Sequence, residues 1–285
     1  MEHYEILIIG GGAAGIAAAK ACAGAKVLLA ERRPALGGVL LQCAHRGFGN
    51  QKTGAEYVEE ILADFPETVT LALNTMVCSV SEEKTALLSG RDFGRKEISF
   101  SQLILAAGCR EIPIGALPIG GTRPRGVYTA GQMQELMNLH GFTPEAPVVI
   151  LGSGDLGLIL ARQLAEAGLP VTMVEQKERC GGMTRNQRCL QEFPIRLMCG
   201  DTIAEVRGDR RISSCVTARG AELPCKTLLI AAGLRPEREW IAHLGNPDWL
   251  HLCGNCSKVH PMVEAVIQEG KQAGMAAVEN LRGVL

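Results

Sequence analysis

A glycine-rich dinucleotide-binding fingerprint occurs twice in this chain, about 140 positions apart. Each copy follows a short apolar run, opens an alanine- and leucine-rich segment, and reaches an acidic residue about 20 positions later, as the fingerprint requires. The glycines stand in G-x-G-x-x-G spacing at Gly10, Gly12 and Gly15 and again at Gly152, Gly154 and Gly157, and the closing acids are Glu31 and Glu175. Two complete copies predict two strand–helix–strand units, each of which binds a dinucleotide.

Each part of the fingerprint has a physical reason. The first glycine allows the tight turn from strand to helix, the second lets the backbone approach a pyrophosphate, and the third lets helix and strand pack closely. The pyrophosphate then lies at the positive end of the helix dipole. Glu31 and Glu175 are expected to accept hydrogen bonds from ribose hydroxyls and to repel a 2′-phosphate. The second site therefore favours NADH over NADPH, although the nearby cations Arg32, Arg33 and Lys177 would weaken that preference.

Composition fits two modest α/β domains and excludes several functions. The chain has 285 residues, of which 47% are hydrophobic and 34 are glycines, and this suits a buried core with many strand-to-helix turns. A net charge of −1 and an aromatic content of 4% argue against nucleic acid as a partner. The amino-terminal residues do not resemble a signal peptide, and no apolar stretch of about 18 residues suggests a membrane span. We therefore expect a cytoplasmic protein.

The eleven cysteines are scattered along the chain and do not show the spacing of a zinc or iron–sulfur site. We therefore predict no metal site. The one close pair is Cys253 and Cys256, which have dithiol spacing in a predicted turn.

A second pair of motifs extends the internal repeat. LILAAG at 103–108 and LLIAAG at 228–233 each follow one fingerprint in matching order, which predicts two similar domains. The end of the chain predicts a strand, a turn and an amphipathic helix. Small and apolar residues at helical spacing form one face of that helix at Val263, Val266, Ile267, Gly270, Gly274 and Ala277.

Taken together, these motifs resemble the two-dinucleotide flavoproteins of the pyridine nucleotide–disulfide oxidoreductase superfamily. The resemblance implies an α/β fold of two Rossmann-like domains, with FAD on the first fingerprint and NAD(P)H on the second. It further implies a discontinuous FAD domain, residues 1–112 with 245–285, around a nicotinamide domain at 113–244. Because the chain stops at 285, we expect no C-terminal dimerisation domain of the glutathione reductase kind.

The resemblance also assigns cofactor contacts beyond the fingerprint glycines and acids. It places part of the chain near the adenosine and pyrophosphate of FAD, and a later turn near the ribityl chain and flavin ring. The first group comprises Ala13, Ala14, Arg32, Gly38, Val77, Ala107 and Gly108, and the second comprises Gly254, Asn255 and His260. Asp155 and Gly233 are assigned to the nicotinamide dinucleotide. The dipole of the last helix, which we expect to follow His260, would stabilise negative charge on reduced flavin.

The stretches LGGVLLQCAHRGFG, RGVYTAGQMQELMNLHG and CGNCSKVH narrow the resemblance. They are similar to a bacterial family of FAD/NAD(P)-binding proteins that accompany a glycerol-3-phosphate-dehydrogenase-like flavoprotein, and more distantly to the FAD subunits of opine oxidases and hydrogen cyanide synthase. This resemblance implies a partner flavoprotein but names no small-molecule substrate.

The predicted reaction is hydride transfer from NADH to FAD, followed by transfer to a partner flavoprotein or a small acceptor. Cys43 and His45 are the local candidates for catalysis, because a thiolate beside the flavin could form a charge-transfer contact and the histidine could move a proton. The alternative is that Cys43 is a buried structural thiol and His45 a loop histidine hydrogen-bonded to the backbone. Cys43 stands alone where the larger disulfide reductases have two cysteines, and no C-x-x-C precedes the second fingerprint as in thioredoxin reductases.

Two other functions remain open at this point. A dithiol–disulfide reductase would use Cys253 and Cys256, and a non-catalytic FAD-binding subunit would serve a larger dehydrogenase complex.

Overall fold

The structure, a computed structural model, describes residues 1–283 of the chain. It divides into two compact units, which we describe separately. The first unit contains Met1–Arg110 together with the chain from Arg235 onward, and the second contains Glu111–Leu234.

The regular elements are numbered in chain order. The strands are β1 Glu2–Ile9, β2 Val27–Ala30, β3 Thr70–Ala72, β4 Thr75–Val80, β5 Thr85–Gly90, β6 Gly94–Leu105, β7 Cys109–Glu111, β8 Gly120–Gly121, β9 Val127–Thr129, β10 Val148–Leu151, β11 Val171–Glu175, β12 Arg196–Cys199, β13 Ile203–Gly208, β14 Ile212–Thr217, β15 Glu222–Pro224, β16 Thr227–Ile230, β17 Leu234–Pro236 and β18 Leu250–Leu252. The α-helices are α1 Ala13–Ala21, α2 Gly54–Leu62, α3 Ala130–His140, α4 Asp155–Glu166, α5 Thr184–Gln187, α6 Cys189–Glu192 and α7 Val263–Gly283. Short 3₁₀ segments lie at Gly38–Gln42, Ile114–Ala116, Glu239–Leu244 and Gly254–Cys256.

The first unit is built on a seven-stranded sheet with the order β3-β2-β1-β6-β5-β4, in which β18 also pairs with β6. Strands β3, β2, β1, β6 and β18 run parallel, while β4, β5 and the first half of β6 form an antiparallel meander. Strand β1 is buried on both faces, since Ile6 and Ile8 belong to one apolar core and Leu7 and Ile9 to another. A continuous apolar run is what a parallel sheet covered on both sides requires.

Helices α1 and α7 cover one face of this sheet and contact each other through small residues. A Cβ on Gly270 would collide with the carbonyl oxygen of Ala14, and one on Gly274 would lie 2.6 Å from that of Ala18. Ala277 is also fully buried in this helix pair. The two backbones can approach this closely because α7 presents glycine and alanine on that side.

The second unit has three layers. A parallel sheet with the order β12-β11-β10-β16-β9 lies in the middle, and a smaller sheet with the order β15-β14-β13-β8 covers one of its faces. Side chains of α3 and α4 share a core with Ile150 and Met173 of the central sheet. The other face, including Val149 and Val174, shares a core with Val206 of β13 and Cys215 of β14.

The chain returns to the first unit at Arg235, ten positions before the expected return at 245. The physical reason is the 3₁₀ segment Glu239–Leu244, because its Ile241 and Leu244 are buried in the core of the first sheet. The two connecting strands, β7 and β17, pair as a two-stranded sheet.

Within residues 1–283, no helix has the length and apolar character needed to cross a membrane. The same residues contain no group of three or more histidine, cysteine, aspartate or glutamate side chains able to hold a metal ion.

Candidate functional site

The first fingerprint forms a loop whose first and third glycines pack against neighbouring backbone, while the second faces open space. Gly10 follows β1 with φ of +105°, and a Cβ on it would lie 2.5 Å from the carbonyl oxygen of Ala106. A Cβ on Gly15 would collide with the carbonyl oxygen of Gly10. Gly12 caps α1, and a Cβ there would meet no described atom within 4 Å. The open space lies at the helix N-terminus, where a pyrophosphate would bind.

Glu31 closes this fingerprint as a buried carboxylate. The residue is only 6% exposed. Its carboxylate oxygens accept the backbone N–H groups of Gly11 (2.6 Å) and Arg33 (2.8 Å). Strand β4 begins beside it, because Thr75 donates its backbone N–H to the Glu31 carbonyl at 2.9 Å. Val77 lies two residues further along β4.

Other predicted FAD contacts follow the carboxyl ends of neighbouring parallel strands, the edge at which ligands bind in open α/β sheets. A Cβ on Gly38 would lie 3.1 Å from the Cα of Gly12, so the loop after Glu31 passes close to the fingerprint. A Cβ on Gly254 would lie 2.8 Å from the Cβ of Ala14. The remaining predicted contacts are Ala13 at the start of α1, the exposed Arg32 beside Glu31, and Ala107 and Gly108 after β6.

The turn after β18 is fastened to α7 by two hydrogen bonds and one close contact between a histidine and a glutamate. Asn255 Oδ1 accepts the backbone N–H of His260 at 2.9 Å. His260 Nε2 lies 2.8 Å from Oε1 of Glu269, whose Oε2 accepts the backbone N–H of Gly254 at 2.8 Å. Helix α7 follows His260 as expected and begins at Val263, after residues 257–262 complete the turn.

The second fingerprint repeats the geometry of the first. A Cβ on Gly152, which has φ of +103°, would collide with the carbonyl oxygen of Ala231, and one on Gly157 would lie 2.6 Å from that of Gly152. Gly154 caps α4, and a Cβ on it would have no described neighbour within 4 Å. Gly233 follows β16 and accepts the backbone N–H of Ile112 at 3.1 Å.

Glu175 closes the second fingerprint and accepts three hydrogen bonds. Its Oε2 accepts both the backbone N–H and the hydroxyl of Ser153, at 2.7 and 2.6 Å, and its Oε1 accepts the backbone N–H of Lys177 at 2.9 Å. Burial of this side chain favours the neutral acid, but the hydrogen bonds from Ser153 and Lys177 outweigh burial and hold the pKa of Glu175 below its usual value. The group is therefore a carboxylate at neutral pH.

Asp155 holds a loop in the structure. Its Oδ1 accepts the backbone N–H of Met183 at 2.8 Å and the side-chain N–H of Asn186 at 2.6 Å. A cofactor contact from Asp155 remains a prediction. The loop that it holds contains Gly181 and Gly182, which are not among the site residues predicted from the sequence.

These two adjacent glycines define what we call the double-glycine loop, and its match to a counterpart in the first unit could have been found from the sequence. Gly37 and Gly38 follow Glu31 by six and seven positions, and Gly181 and Gly182 follow Glu175 by the same intervals. The internal repeat therefore extends beyond the acid in both units.

Cys43 and His45 lie after the 3₁₀ segment Gly38–Gln42. The Cys43 thiol donates to the carbonyl of Val39 at 3.3 Å, and burial raises the pKa of Cys43 to about 12. A thiol with that pKa is protonated at neutral pH, which argues against the thiolate role. The His45 ring packs against Phe48 with 5.1 Å between ring centroids.

Cys253 and Cys256 are both fully buried free thiols. Cys256 donates to the carbonyl of Leu105 at 2.9 Å, and burial raises the pKa values of both cysteines. Neither sulfur is accessible for exchange with an external disulfide in this structure.

Comparison with known proteins identifies the family. The model for "Pyridine nucleotide-disulphide oxidoreductase" matches residues 4–247. Hydrogen cyanide synthase subunit HcnB of Pseudomonas protegens is 30% identical over 197 residues, covering 66% of this chain and 41% of that protein. An opine oxidase subunit of Agrobacterium tumefaciens is 32% identical over 183 residues, covering 59% and 36%. The chain thus spans about two fifths of the length of these relatives.

Solved structures support the fold. Thioredoxin reductase of Lactococcus lactis superimposes with a TM-score of 0.81 at 21% identity, over 98% of this chain and 99% of that one. Thioredoxin reductase of T. acidophilum gives a TM-score of 0.79 at 16% identity, over 99% and 100%. At these identities the likeness concerns the fold alone. The predicted superfamily and the two Rossmann-like units are confirmed.

Proposed function

The chain belongs to the pyridine nucleotide-disulphide oxidoreductase family, whose members generally bind FAD and NAD(P)H, and from that premise we propose that it is an FAD-dependent NADH oxidoreductase. When bound, the flavin would accept a hydride from the nicotinamide and pass the electrons onward. The acceptor that we propose is a partner flavoprotein or a small molecule.

The observation that carries the proposal is the same open glycine loop beside a buried carboxylate in both units. Gly12 and Gly154 each cap a helix and leave space at its N-terminus. Glu31 and Glu175 each accept a backbone N–H from the residue between the first two fingerprint glycines. The residues fit a pyrophosphate and a ribose in each unit, so this chain would hold two dinucleotides.

Glu175 supports NADH over NADPH. Because the group is ionised at neutral pH, a 2′-phosphate would place negative charge against a buried carboxylate. The ribose hydroxyls of NADH can instead donate hydrogen bonds to it.

The chain's own residues would position the two cofactors, since hydride transfer needs aligned rings rather than an acid or base from the protein. The hydrogen-bonded turn of Gly254, Asn255 and His260 is the segment that we propose beside the flavin ring. His45 remains a proposed proton carrier, and the protonation of Cys43 leaves its thiolate role unsupported.

A multi-subunit assembly is supported by the names of the relatives. The matched proteins of hydrogen cyanide synthase and of opine oxidase are both named as subunits of larger enzymes. We propose that this chain also delivers electrons to another subunit, with a glycerol-3-phosphate-dehydrogenase-like flavoprotein as the first candidate. Use of Cys253 and Cys256 as a redox dithiol is disfavoured by their burial.

Two valine substitutions test which fingerprint holds which cofactor. The Cβ of Gly12→Val or Gly154→Val would enter open space, because it meets no described atom within 4 Å at either position. Gly12→Val should weaken FAD binding by at least about tenfold, or about 1.4 kcal/mol. Gly154→Val should keep FAD and weaken NADH binding by a similar factor. Bound flavin and calorimetric titration with NADH provide the measurements.

Gly115→Val is the matched control, since Gly115 is another glycine of the described chain where a Cβ would have open space. It should leave both affinities unchanged. Normal flavin content in Gly12→Val, or normal NADH affinity in Gly154→Val, would show that the corresponding fingerprint does not bind its proposed cofactor.

A further inference from the structure

We propose that Ser153 is a positioning residue that sets nucleotide specificity, because its hydroxyl joins Glu175 to the double-glycine loop of the second unit. This inference rests on the proposed function, since it deepens the account of the same nicotinamide site. Ser153 lies between the first two glycines of the second fingerprint and is fully buried.

Ser153 makes hydrogen bonds to Glu175 on one side and to the double-glycine loop on the other. Its backbone N–H and its hydroxyl both donate to Oε2 of Glu175, at 2.7 and 2.6 Å. The same hydroxyl oxygen accepts the backbone N–H of Gly181 at 2.9 Å. With the bond from Lys177 to the other carboxylate oxygen, Glu175 is fixed in one orientation.

The double-glycine loop is held at a second point by Asp155. The Oδ1 atom of Asp155 accepts the backbone N–H of Met183 and the side-chain N–H of Asn186. Ser153 and Asp155 flank Gly154 in the chain, so the loop is tied on both sides of the glycine that leaves space for a pyrophosphate.

The first unit lacks this link. Gly11 occupies the position of Ser153 and donates its backbone N–H to Glu31, but it has no hydroxyl. A Cβ on Gly11 would lie 2.5 Å from Cδ2 of Leu36, so a serine there would require that side chain to move. Its double-glycine loop is joined to the fingerprint backbone instead, through the N–H of Gly37 and the carbonyl of Gly11 at 2.7 Å.

A fixed carboxylate discriminates better than a mobile one. A mobile side chain could turn away from a 2′-phosphate, whereas turning Glu175 would break buried hydrogen bonds and leave their donors unpaired. The hydroxyl of Ser153 therefore supplies discrimination against NADPH without itself contacting the nucleotide.

The test is the Ser153→Ala variant of the flavin-loaded full chain. Calorimetry gives the dissociation constants for NADH and NADPH, and anaerobic kinetics give the rate of flavin reduction by each nucleotide. We expect NADH affinity to fall about tenfold and NADPH affinity to stay within about twofold, so the preference for NADH shrinks about tenfold. The KM for NADH should rise while the limiting rate of flavin reduction is unchanged, because the hydride-transfer geometry is not altered.

Ser214→Ala is the matched control. Ser214 is a buried serine of the same unit whose hydroxyl donates to Glu222 at 2.7 Å, in the smaller sheet of that unit. It should leave the NADH/NADPH ratio unchanged.

A double-mutant cycle with Glu175→Gln separates positioning from general destabilisation. If Ser153 acts through the carboxylate, adding Ser153→Ala to Glu175→Gln should not further change the ratio of the dissociation constants for NADPH and NADH. Additive effects, an equal loss of both nucleotides in Ser153→Ala, or an unchanged NADH affinity would each overturn the inference while leaving the proposed function intact. A wild type that binds neither nucleotide would overturn both.

Discussion

The two acids at the ends of the fingerprints are held by different sets of hydrogen bonds. Glu31 accepts the backbone N–H groups of Gly11 and Arg33, whereas Glu175 accepts two backbone N–H groups and also the hydroxyl of Ser153. Glycine spacing predicted both acids, because the strand–helix–strand unit has a fixed length. The hydrogen bond between Ser153 and Gly181 could not be predicted, since the two residues are 28 positions apart and meet only in the folded loop.

The reactivity of the cysteines also could not be predicted from the sequence. The spacing of Cys253 and Cys256 suggested a dithiol, but spacing carries no information on burial, and burial decides whether a thiol reacts. The same limit applied to Cys43, whose predicted thiolate is opposed by a pKa of about 12.

We predict that native protein treated with iodoacetamide near neutral pH is labelled at Cys78 and protected at Cys253 and Cys256. Cys78 is exposed and serves as the internal control, whereas both other thiols are buried with raised pKa values. Mass spectrometry of the peptides measures the extent at each site. Labelling of Cys253 or Cys256 at the rate of Cys78 would contradict the burial and restore the dithiol alternative.

At the scale of elements, the best-predicted feature is helix α7. The stripe containing Gly270, Gly274 and Ala277 was predicted to pack closely, and those residues are buried against α1. The identity of the partner helix could not be predicted, because α1 and α7 are more than 240 positions apart. The burial of Ile241 and Leu244 was also missed, since one 3₁₀ turn is too short to show a periodic pattern.

We predict that Gly274→Ala destabilises the protein by about 1–3 kcal/mol, as overpacking at a helix contact does. The added Cβ would lie 2.6 Å from the Ala18 carbonyl oxygen and 2.8 Å from the Ala21 side chain, so the two helices must separate. Chemical denaturation followed by circular dichroism measures the change.

Gly283→Ala makes the same substitution in the same helix, where a Cβ meets no described atom within 4 Å. It should be neutral or slightly stabilising. Equal stability of the two variants would contradict the close contact between α1 and α7.

At the scale of the whole molecule, the two units repeat one design. Each has a sheet with parallel strands at its centre, an open glycine loop at the carboxyl ends of those strands and a buried acid beside that loop. The repeat in the sequence was sufficient to predict this architecture, because motif order and spacing agree in both copies. The electron acceptor could not be predicted, since recognition of a partner or substrate depends on surface chemistry that no motif here encodes.

The most direct test of the proposed oxidoreductase is anaerobic titration of the FAD-loaded protein with NADH, followed through the visible absorption of oxidised flavin. We predict that the absorption is lost as NADH is added, and that NADPH requires a higher concentration for the same effect. Flavin that stays oxidised with both nucleotides, but is bleached by dithionite, would contradict the proposed oxidoreductase and favour a non-catalytic FAD-binding subunit.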